Sequence, residues 1–232
     1  MTRLLAAAPL AMVALGGLPT TAAPVDQAAA DAAVAVFNDR LTQAGWSSTG
    51  PLTQAQPEGD EEGQFGACLS GFERYLDYTD VHFEGETARA FSHDFELVSR
   101  AGNSTDATGG YGYAGAVVVT AADSAVGLLD KFVEDLGAAD TTACMLGQPA
   151  FQSMTDEVRI TNEADVGVGD ASARLDFTVT TRYEDTMLVT AATFAGARVD
   201  RSLVVLVAGR SGPGMADLDL IAELAAMVDT LR

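Results

Sequence analysis

Acidic side chains are the most abundant reactive groups in this sequence, with 33 Asp and Glu residues against 13 Lys and Arg residues. Two pairs have members two residues apart, Asp94 with Glu96 and Glu163 with Asp165, so each pair shares one face if its segment is a strand. Two carboxylates of unequal environment can serve as acid and as nucleophile or base in hydrolysis. A carboxylate-dependent hydrolase is therefore one of the functions that we consider, although most of these acids are expected on solvated faces.

Five arginines fall near the ends of strands that we predict in the last third of the chain: Arg159, Arg174, Arg182, Arg198 and Arg201. In so acidic a chain, the first expectation is that several of them form ion pairs within the molecule. The alternative is that a cluster of them binds an anionic head group through bidentate contacts. Their spread over several strands leaves both interpretations open.

The stretch 110–115 reads G-Y-G-Y-A-G and fits the glycine pattern of dinucleotide-binding loops. That fingerprint requires a helix after the glycines, whereas an apolar Val run follows here and predicts a strand. We therefore predict a turned or flexible loop and no cofactor. A functional variant of this hypothesis is a flap in which Tyr111 and Tyr113 stack on a ligand.

Other catalytic patterns are missing from the sequence. No G-x-S-x-G pentapeptide of a nucleophile elbow occurs. His82 and His93 are separated by an odd number of residues, so on one strand they would point to opposite faces and could not share a site. The acidic run inside the predicted solvated loop 47–63 lacks the alternating order of a calcium loop. We predict no catalytic, cofactor or metal-binding residues and no enzymatic activity.

The two cysteines, Cys68 and Cys144, lack the spacing of zinc ligands and are expected to form one intramolecular disulfide if the chain reaches an oxidising compartment. The first residues predict that it does. Arg3 precedes an apolar run over 4–18, and small residues follow, the layout of a secretory signal peptide. We expect residues 1–22 to be removed after Ala22, leaving 23–232 as a single secreted domain without a membrane span.

The elements that must hold these groups follow from hydrophobic periodicity. Helices are predicted over 26–44, over 65–76 with Cys68 on the buried face, from Asp123 to Gly137, and from Leu218 to the end. Strands are predicted over 88–97, 115–121, from Val158, around 175–179, over 187–195 and over 203–207. Short turns between consecutive strands favour antiparallel pairing. The predicted fold is α+β, with an antiparallel sheet of about five or six strands and helices packed on one face.

The order of elements after 112, with Cys144, the Gly-Val-Gly-Asp turn at 167–170 and the apolar run 203–207, resembles a known family. It resembles the extracytoplasmic sensor domains of actinobacterial origin, typified by the outer domain of the serine/threonine kinase PknH, and related secreted proteins. The resemblance covers about half of the chain. It implies an α+β ligand-binding module with a cleft and no catalysis; this chain carries no kinase domain.

Together these observations predict a secreted, non-enzymatic, sensor-like domain of the bacterial cell envelope. The expected partner is a small molecule, an envelope lipid or glycolipid, or a protein. A net charge of −20 repels phosphate backbones, so we expect no nucleic-acid partner. An extracellular carboxylate-dependent hydrolase remains the alternative function.

Overall fold

The computed structural model describes residues 24–44, 46–51, 68, 89–90, 96–101, 111–120, 126–147, 157–183, 186–211 and 218–232. Within these residues the chain forms eight strands and four helices. The strands are β1 (Ser47–Pro51), β2 (Arg89–Ala90), β3 (Glu96–Ala101), β4 (Tyr111–Thr120), β5 (Glu157–Ala164), β6 (Ala171–Tyr183), β7 (Thr186–Val199) and β8 (Ser202–Ser211). The helices are α1 (Pro24–Gln43), α2 (Val126–Gly137), α3 (Ala139–Gly147) and α4 (Leu220–Leu231).

All the described strands join one antiparallel sheet, in the order β1-β3-β4-β8-β7-β6-β5, and β2 also pairs with β4. Five long strands, β4 to β8, make up most of it, and the three short strands extend it on the β4 side. Strands β5 to β8 follow one another as a meander, as the short turns predict. The α+β class and the antiparallel sheet are therefore confirmed.

The apolar run Leu203–Val207 lies in β8, between β4 and β7, as expected for a central strand. All five of its side chains are buried, so both faces of the sheet are covered at this strand. Directly paired residues of neighbouring strands lie on the same face of the sheet. Leu206 lies opposite Ala116 and Ala195, and Val205 lies opposite Val117 and Gly196.

Helices α1 and α4 cover one face, which we call face A. Its core joins Ala114 and Ala116 of β4, Ala195 of β7 and Leu206 of β8 to buried side chains of both helices. Helical spacing in the sequence predicts a buried stripe of Ala30, Val34, Phe37, Leu41 and Ala44 in α1; the first four are buried, whereas Ala44 lies after the helix and is exposed. In the last helix the same spacing predicts a stripe of Leu218, Ile221, Ala225 and Val228. The buried residues of α4 are instead Leu220, Leu224, Met227 and Val228, and Leu218, Ile221 and Ala225 are only partly buried. Trp46 belongs to the same core and is 8% exposed.

Helix α2 lies over the opposite face, face B, and α3 follows it beside β5, so the prediction that all helices pack on one face is wrong. A Cβ placed on Gly196 would stand 3.4 Å from Leu136 and 3.6 Å from Phe132, both in α2. Because side chains alternate along β7, Gly196 faces away from the core that holds Ala195 and Ala197. Apolar and polar residues alternate along β6, and this alternation favours a sheet covered by helices on one face only. The continuous apolar run in β8 instead requires cover on both faces.

Gly137, the last residue of α2, brings the helix end directly onto the sheet. A Cβ there would lie 3.0 Å from Cα of Ala164 and 3.2 Å from Cβ of Ala173. The carbonyl of Gly137 also accepts a hydrogen bond of 2.6 Å from the side-chain amide of Asn162 in β5. These contacts fix α2 over the face B side of β5 and β6. The helix does not cover the face A side of these two strands.

Three predicted segments differ from the structure or lie outside it. The solvated loop 47–63 instead begins with strand β1, which pairs with β3, and residues 52–63 lie outside the described residues. The sequence predicts a short connecting segment around Cys144, between the helix that ends at Gly137 and Pro149, but Cys144 lies within helix α3. The leader 1–22, His82, His93 and the predicted helix 65–76 apart from Cys68 lie outside the described residues. No helix among the described residues is long and apolar enough to cross a bilayer.

Candidate functional site

The part of face A beyond α1 and α4 is a solvent-facing surface on β5, β6 and the first half of β7. Along β6, Leu175 and Val179 are buried against face B, whereas Asp176, Thr178 and Thr180 on face A are partly exposed. This alternation is the one that the sequence predicts for β6. We call this surface, centred on Asp176 and Thr178, the open part of face A.

Hydrogen bonds order the polar groups at its centre. The Arg174 guanidinium donates to Oδ1 of Asp176 from Nε at 3.0 Å and from Nη2 at 2.9 Å, and its Nε lies 2.8 Å from Oδ2. The hydroxyl of Thr193, in the neighbouring strand, donates to Oδ1 of Asp176 at 2.5 Å. Three side chains of β6 and β7 are thereby held in one arrangement, although the ion pair is about one-third exposed and contributes little to stability.

The five arginines singled out from the sequence do not converge on one site. Arg159 and Arg174 lie on face A, and the register places Arg182 on the same face of β6. Arg198 lies on face B and Arg201 in the turn between β7 and β8. The expected intramolecular ion pairs are present for Arg174 with Asp176, and for Arg198 with Asp130 and Asp170.

Arg198 connects three parts of the fold. Its Nε contacts Asp130 of α2, and its Nη1 contacts Oδ2 of Asp170 at 3.1 Å and donates to the carbonyl of Asp200 at 2.8 Å. Asp170 also accepts a 2.8 Å hydrogen bond from the amide of Asp200. Arg198 therefore connects the Gly-Val-Gly-Asp turn, the β7–β8 turn and α2. This is a structural role for Arg198, Asp130 and Asp170.

The carboxylate pair Glu163 and Asp165 does not form a desolvated acid–base site. Both residues are exposed. Asp165, at φ 60°, accepts hydrogen bonds from the amide of Gly167 at 3.2 Å and from the Ser172 hydroxyl at 3.5 Å. Its carboxylate thus closes the turn between β5 and β6. Asp94, the first member of the other pair, lies outside the described residues.

Tyr111 and Tyr113 are in strand β4 and not in a loop, so the prediction of a turned or mobile loop is wrong for this backbone. The β4 ladder pairs Tyr113 with Ser99 on one side and with Gly209 on the other. A flap would have to break both rows of hydrogen bonds. The register places positions 111 and 113 on face B and position 159 on face A.

Two further ion pairs hold the helices. Arg40 of α1 contacts Glu223 of α4 through Nε at 2.5 Å and Nη2 at 3.1 Å. This hydrogen bonding, and then the charge of Glu223, raises the pKa of Arg40. On α2, Lys131 lies 2.7 Å from Asp135 and 3.2 Å from Glu134, and the hydrogen bond to Asp135 is the main cause that raises the pKa of Lys131.

The sulfur atoms of Cys68 and Cys144 lie at bonding distance, 2.11 Å, with their Cα atoms 5.5 Å apart. The predicted pairing is therefore the one that the structure contains. The bond ties residue 68 to α3. Among the described residues, no group of three or more His, Cys, Asp and Glu side chains could hold a metal ion.

Sequence reasoning missed two arginines that the sheet brings into line with Arg159. Arg210 of β8 lies opposite Ala191 of β7 and Gly112 of β4, and Gly112 lies opposite Arg100 of β3. Alternation along β8 could have placed Arg210 on the face of Leu206, but no local signal shows that β4 and β8 are neighbours.

Compared with known proteins, the sequence matches no family model and no curated protein.

Proposed function

We propose that this protein is a non-enzymatic binding domain of the extracytoplasmic space that recognises an envelope ligand on the open part of face A. The observation that carries the proposal is the ordered, solvent-facing network of Arg174, Asp176 and Thr193 on rigid strands. Polar groups fixed on strands lose little freedom when a ligand binds, so such a surface suits recognition.

Three observations support the extracytoplasmic assignment. The leader-like residues 1–22 favour export, and the cysteine pair at bonding distance suits an oxidising compartment. The resemblance to the PknH-type sensor domains implies a ligand-binding module with the same kind of fold. Mass spectrometry of the exported chain tests this part, with an N-terminus at Ala23 and no alkylatable thiol as the expected result.

A retained-ligand experiment tests the binding function. The exported protein is incubated with an envelope extract, repurified and analysed by native mass spectrometry. A tryptophan at Thr178 would cover the open part of face A whatever the chemistry of the ligand. Thr178→Trp is therefore expected to abolish retention. Ala139→Trp, at an exposed position at the start of α3, is the matched control and is expected to retain the ligand.

Two results would contradict the proposal. Equal retention by Thr178→Trp and the wild-type protein would place the binding surface elsewhere, and retention of nothing by the wild-type protein would remove the binding function. Conversion of a glycan or ester in the extract, lost on substitution of one Asp or Glu, would replace the proposal by the carboxylate-dependent hydrolase.

A further inference from the structure

Strand β5 forms one edge of the sheet, because β6 is its only strand partner in the part of the chain that the structure describes. All eight residues of β5 pair with β6 on one side. The backbone groups on the other side of β5, which we call the β5 edge, meet no described strand. An edge of this length pairs readily with another strand unless its side chains oppose the pairing.

The hydrogen-bond pattern shows which residues of β5 direct their backbone groups outward. The amide of Asp165 donates a 2.7 Å hydrogen bond to the carbonyl of Ser172, the pair that follows Ala164 with Ala173 in the register. Because hydrogen-bonded pairs alternate along an antiparallel ladder, the odd-numbered residues of β5 bond to β6. The even-numbered residues, 158 to 164, therefore direct their amides and carbonyls to the β5 edge.

Charged side chains of β5 all lie on face A. Its four residues there are exposed: Glu157, Arg159, Thr161 and Glu163. Neither Arg159 nor Glu163 forms an ion pair within the described residues, and Arg174, which lies opposite Glu163 in β6, is bound to Asp176. A cation and an acid on one exposed strand are thus available to a partner.

Backbone parity restricts how a second copy can pair with this edge. Even-numbered residues must lie opposite even-numbered residues, because these carry the outward amides and carbonyls. Symmetric antiparallel pairing of two identical edges is therefore centred on a residue of β5 and not between two residues. In such a pairing, face A of both copies lies on the same side.

Charge distinguishes one of these registers from the others. Pairing centred on Thr161 places Arg159 of each copy opposite Glu163 of the other and joins residues 158–164, seven of the eight residues of β5. A centre at Ile160 would oppose Glu157 to Glu163, and a centre at Arg159 would oppose that arginine to itself. Any further shift leaves five paired residues or fewer. Only the register centred on Thr161 is both long and complementary in charge.

The remaining positions of this register agree with it. On face B, Val158 lies opposite Ala164 and Ile160 opposite Asn162, so no charge is brought between these pairs. Beyond the paired segment Asp165 leaves the strand at φ 60°. Its carboxylate accepts from the amide of Gly167 within its own copy.

We propose that this protein forms a symmetric dimer in which the β5 edges of two copies pair antiparallel, centred on Thr161. The sheet then continues through both copies, and the two open parts of face A lie side by side. At physiological salt, repulsion between the many distant acids is screened over about 8 Å, while directly opposed Arg159 and Glu163 still attract. This inference goes beyond the proposed binding function, because the dimer needs no ligand.

Sedimentation velocity of the full, oxidised chain tests the inference. A seven-residue strand pair is smaller than most permanent interfaces, so we expect a reversible dimer with a dissociation constant on the order of 10–100 μM. The weight-average sedimentation coefficient of the wild-type chain should rise toward that of a dimer as concentration passes through this range.

Substitutions that create like-charge pairs locate the interface. Arg159→Glu and Glu163→Arg each replace two complementary pairs by two repulsive ones and should weaken the dimer by about tenfold or more. The two variants change the net charge in opposite directions, so overall charge cannot account for both losses. Asp39→Arg, at an exposed position of α1, is the matched control and should dimerise within about twofold of wild type.

Mixing the two single variants tests the register itself. A chain with acids at positions 159 and 163 is complementary to a chain with arginines at both positions, so the mixture should form a heterodimer although neither variant dimerises alone. Native mass spectrometry with one variant labelled with ¹⁵N identifies it. The double variant Arg159→Glu/Glu163→Arg should dimerise like wild type, because it restores both pairs.

Thr161→Lys provides an independent test that leaves Arg159 and Glu163 in place. It sets two cations against each other at the symmetry axis and should weaken the dimer by about tenfold. Circular dichroism verifies that each variant is folded.

Each of three results would overturn the inference. The wild-type chain stays monomeric at every concentration, the folded variants at 159, 161 and 163 dimerise like wild type, or the mixture of single variants forms no heterodimer. The retained-ligand experiment does not depend on dimerisation and decides separately whether the protein is a binding domain.

Discussion

Gly169 approaches the backbone of Arg198 so closely that no side chain fits between them. A Cβ on Gly169 would stand 2.3 Å from the carbonyl oxygen of Arg198, and the backbone at Gly169 has φ 70°. The same carbonyl accepts a 2.7 Å hydrogen bond from the amide of Asp170. The Gly-Val-Gly-Asp turn therefore packs directly against the backbone at the end of β7.

Gly169→Ala is expected to lower the free energy of unfolding by more than about 2 kcal/mol, since it adds a clash with backbone to the strain of a left-handed conformation. Gly167→Ala is the matched control. It has a similar φ, 77°, but its Cβ would meet nothing within 4 Å, so about 1–2 kcal/mol is expected. Urea denaturation measures both variants. Equal losses would contradict the close approach.

The Arg40–Glu223 pair should respond unequally to loss of its two members. The Glu223 side chain is 11% exposed and that of Arg40 is 44% exposed. Arg40→Gln leaves a nearly buried carboxylate without its charge partner and is expected to cost about 1–3 kcal/mol. Glu223→Gln leaves a solvated guanidinium and should cost less than about 1 kcal/mol. The free energy of unfolding of each variant tests the order.

The pH dependence of this pair follows from the raised pKa of Arg40. A cation whose pKa is raised by folding contributes its full stabilisation below the unfolded value and loses it as pH rises through the folded value. The difference between wild type and Arg40→Gln should therefore stay constant on the alkaline side of neutrality and shrink only in strongly alkaline solution. A difference that disappears near pH 9 would contradict the assigned cause.

The disulfide should contribute to stability because it closes a long segment, since its two cysteines are 76 positions apart in sequence. The double variant Cys68→Ser/Cys144→Ser is expected to lose about 2–5 kcal/mol of unfolding free energy, and reduction of the wild-type protein should produce a similar loss. A double variant as stable as the oxidised wild type would show that the crosslink adds nothing to the fold.

Asp176 holds Arg174 and the Thr193 hydroxyl in one arrangement on the open part of face A. Asp176→Asn removes the carboxylate that both groups contact and is expected to lower retention of the envelope ligand by about tenfold, because the fixed arrangement is lost. Thr193→Val removes only the hydroxyl that donates to Asp176 and should lower retention less. Native mass spectrometry of the repurified proteins measures both variants, and retention by Asp176→Asn equal to that of wild type would contradict a role for this network.

Periodicity within single elements was enough to predict α1, β6 and the central strand. Phe37 and Leu41 repeat at helical spacing, and Leu175 and Val179 alternate with polar residues. The run 203–207 is continuously apolar. The burial of these residues in the structure agrees with all three patterns. The face on which each helix packs could not be predicted this way. The position of α2 depends on Gly137 fitting against Ala164 and Ala173, which are distant in sequence.

The sequence by itself determined the α+β class, the antiparallel meander and the cysteine pair, because alternation, short turns and a count of two thiols are local or compositional properties. Only the tertiary structure decided that β4 lies beside β8. That pairing aligns Arg100, Arg210 and Arg159 in one row and separates them from Tyr111 and Tyr113. Side-chain alternation fixes a face within one strand, but long-range register alone decides which faces combine into a surface.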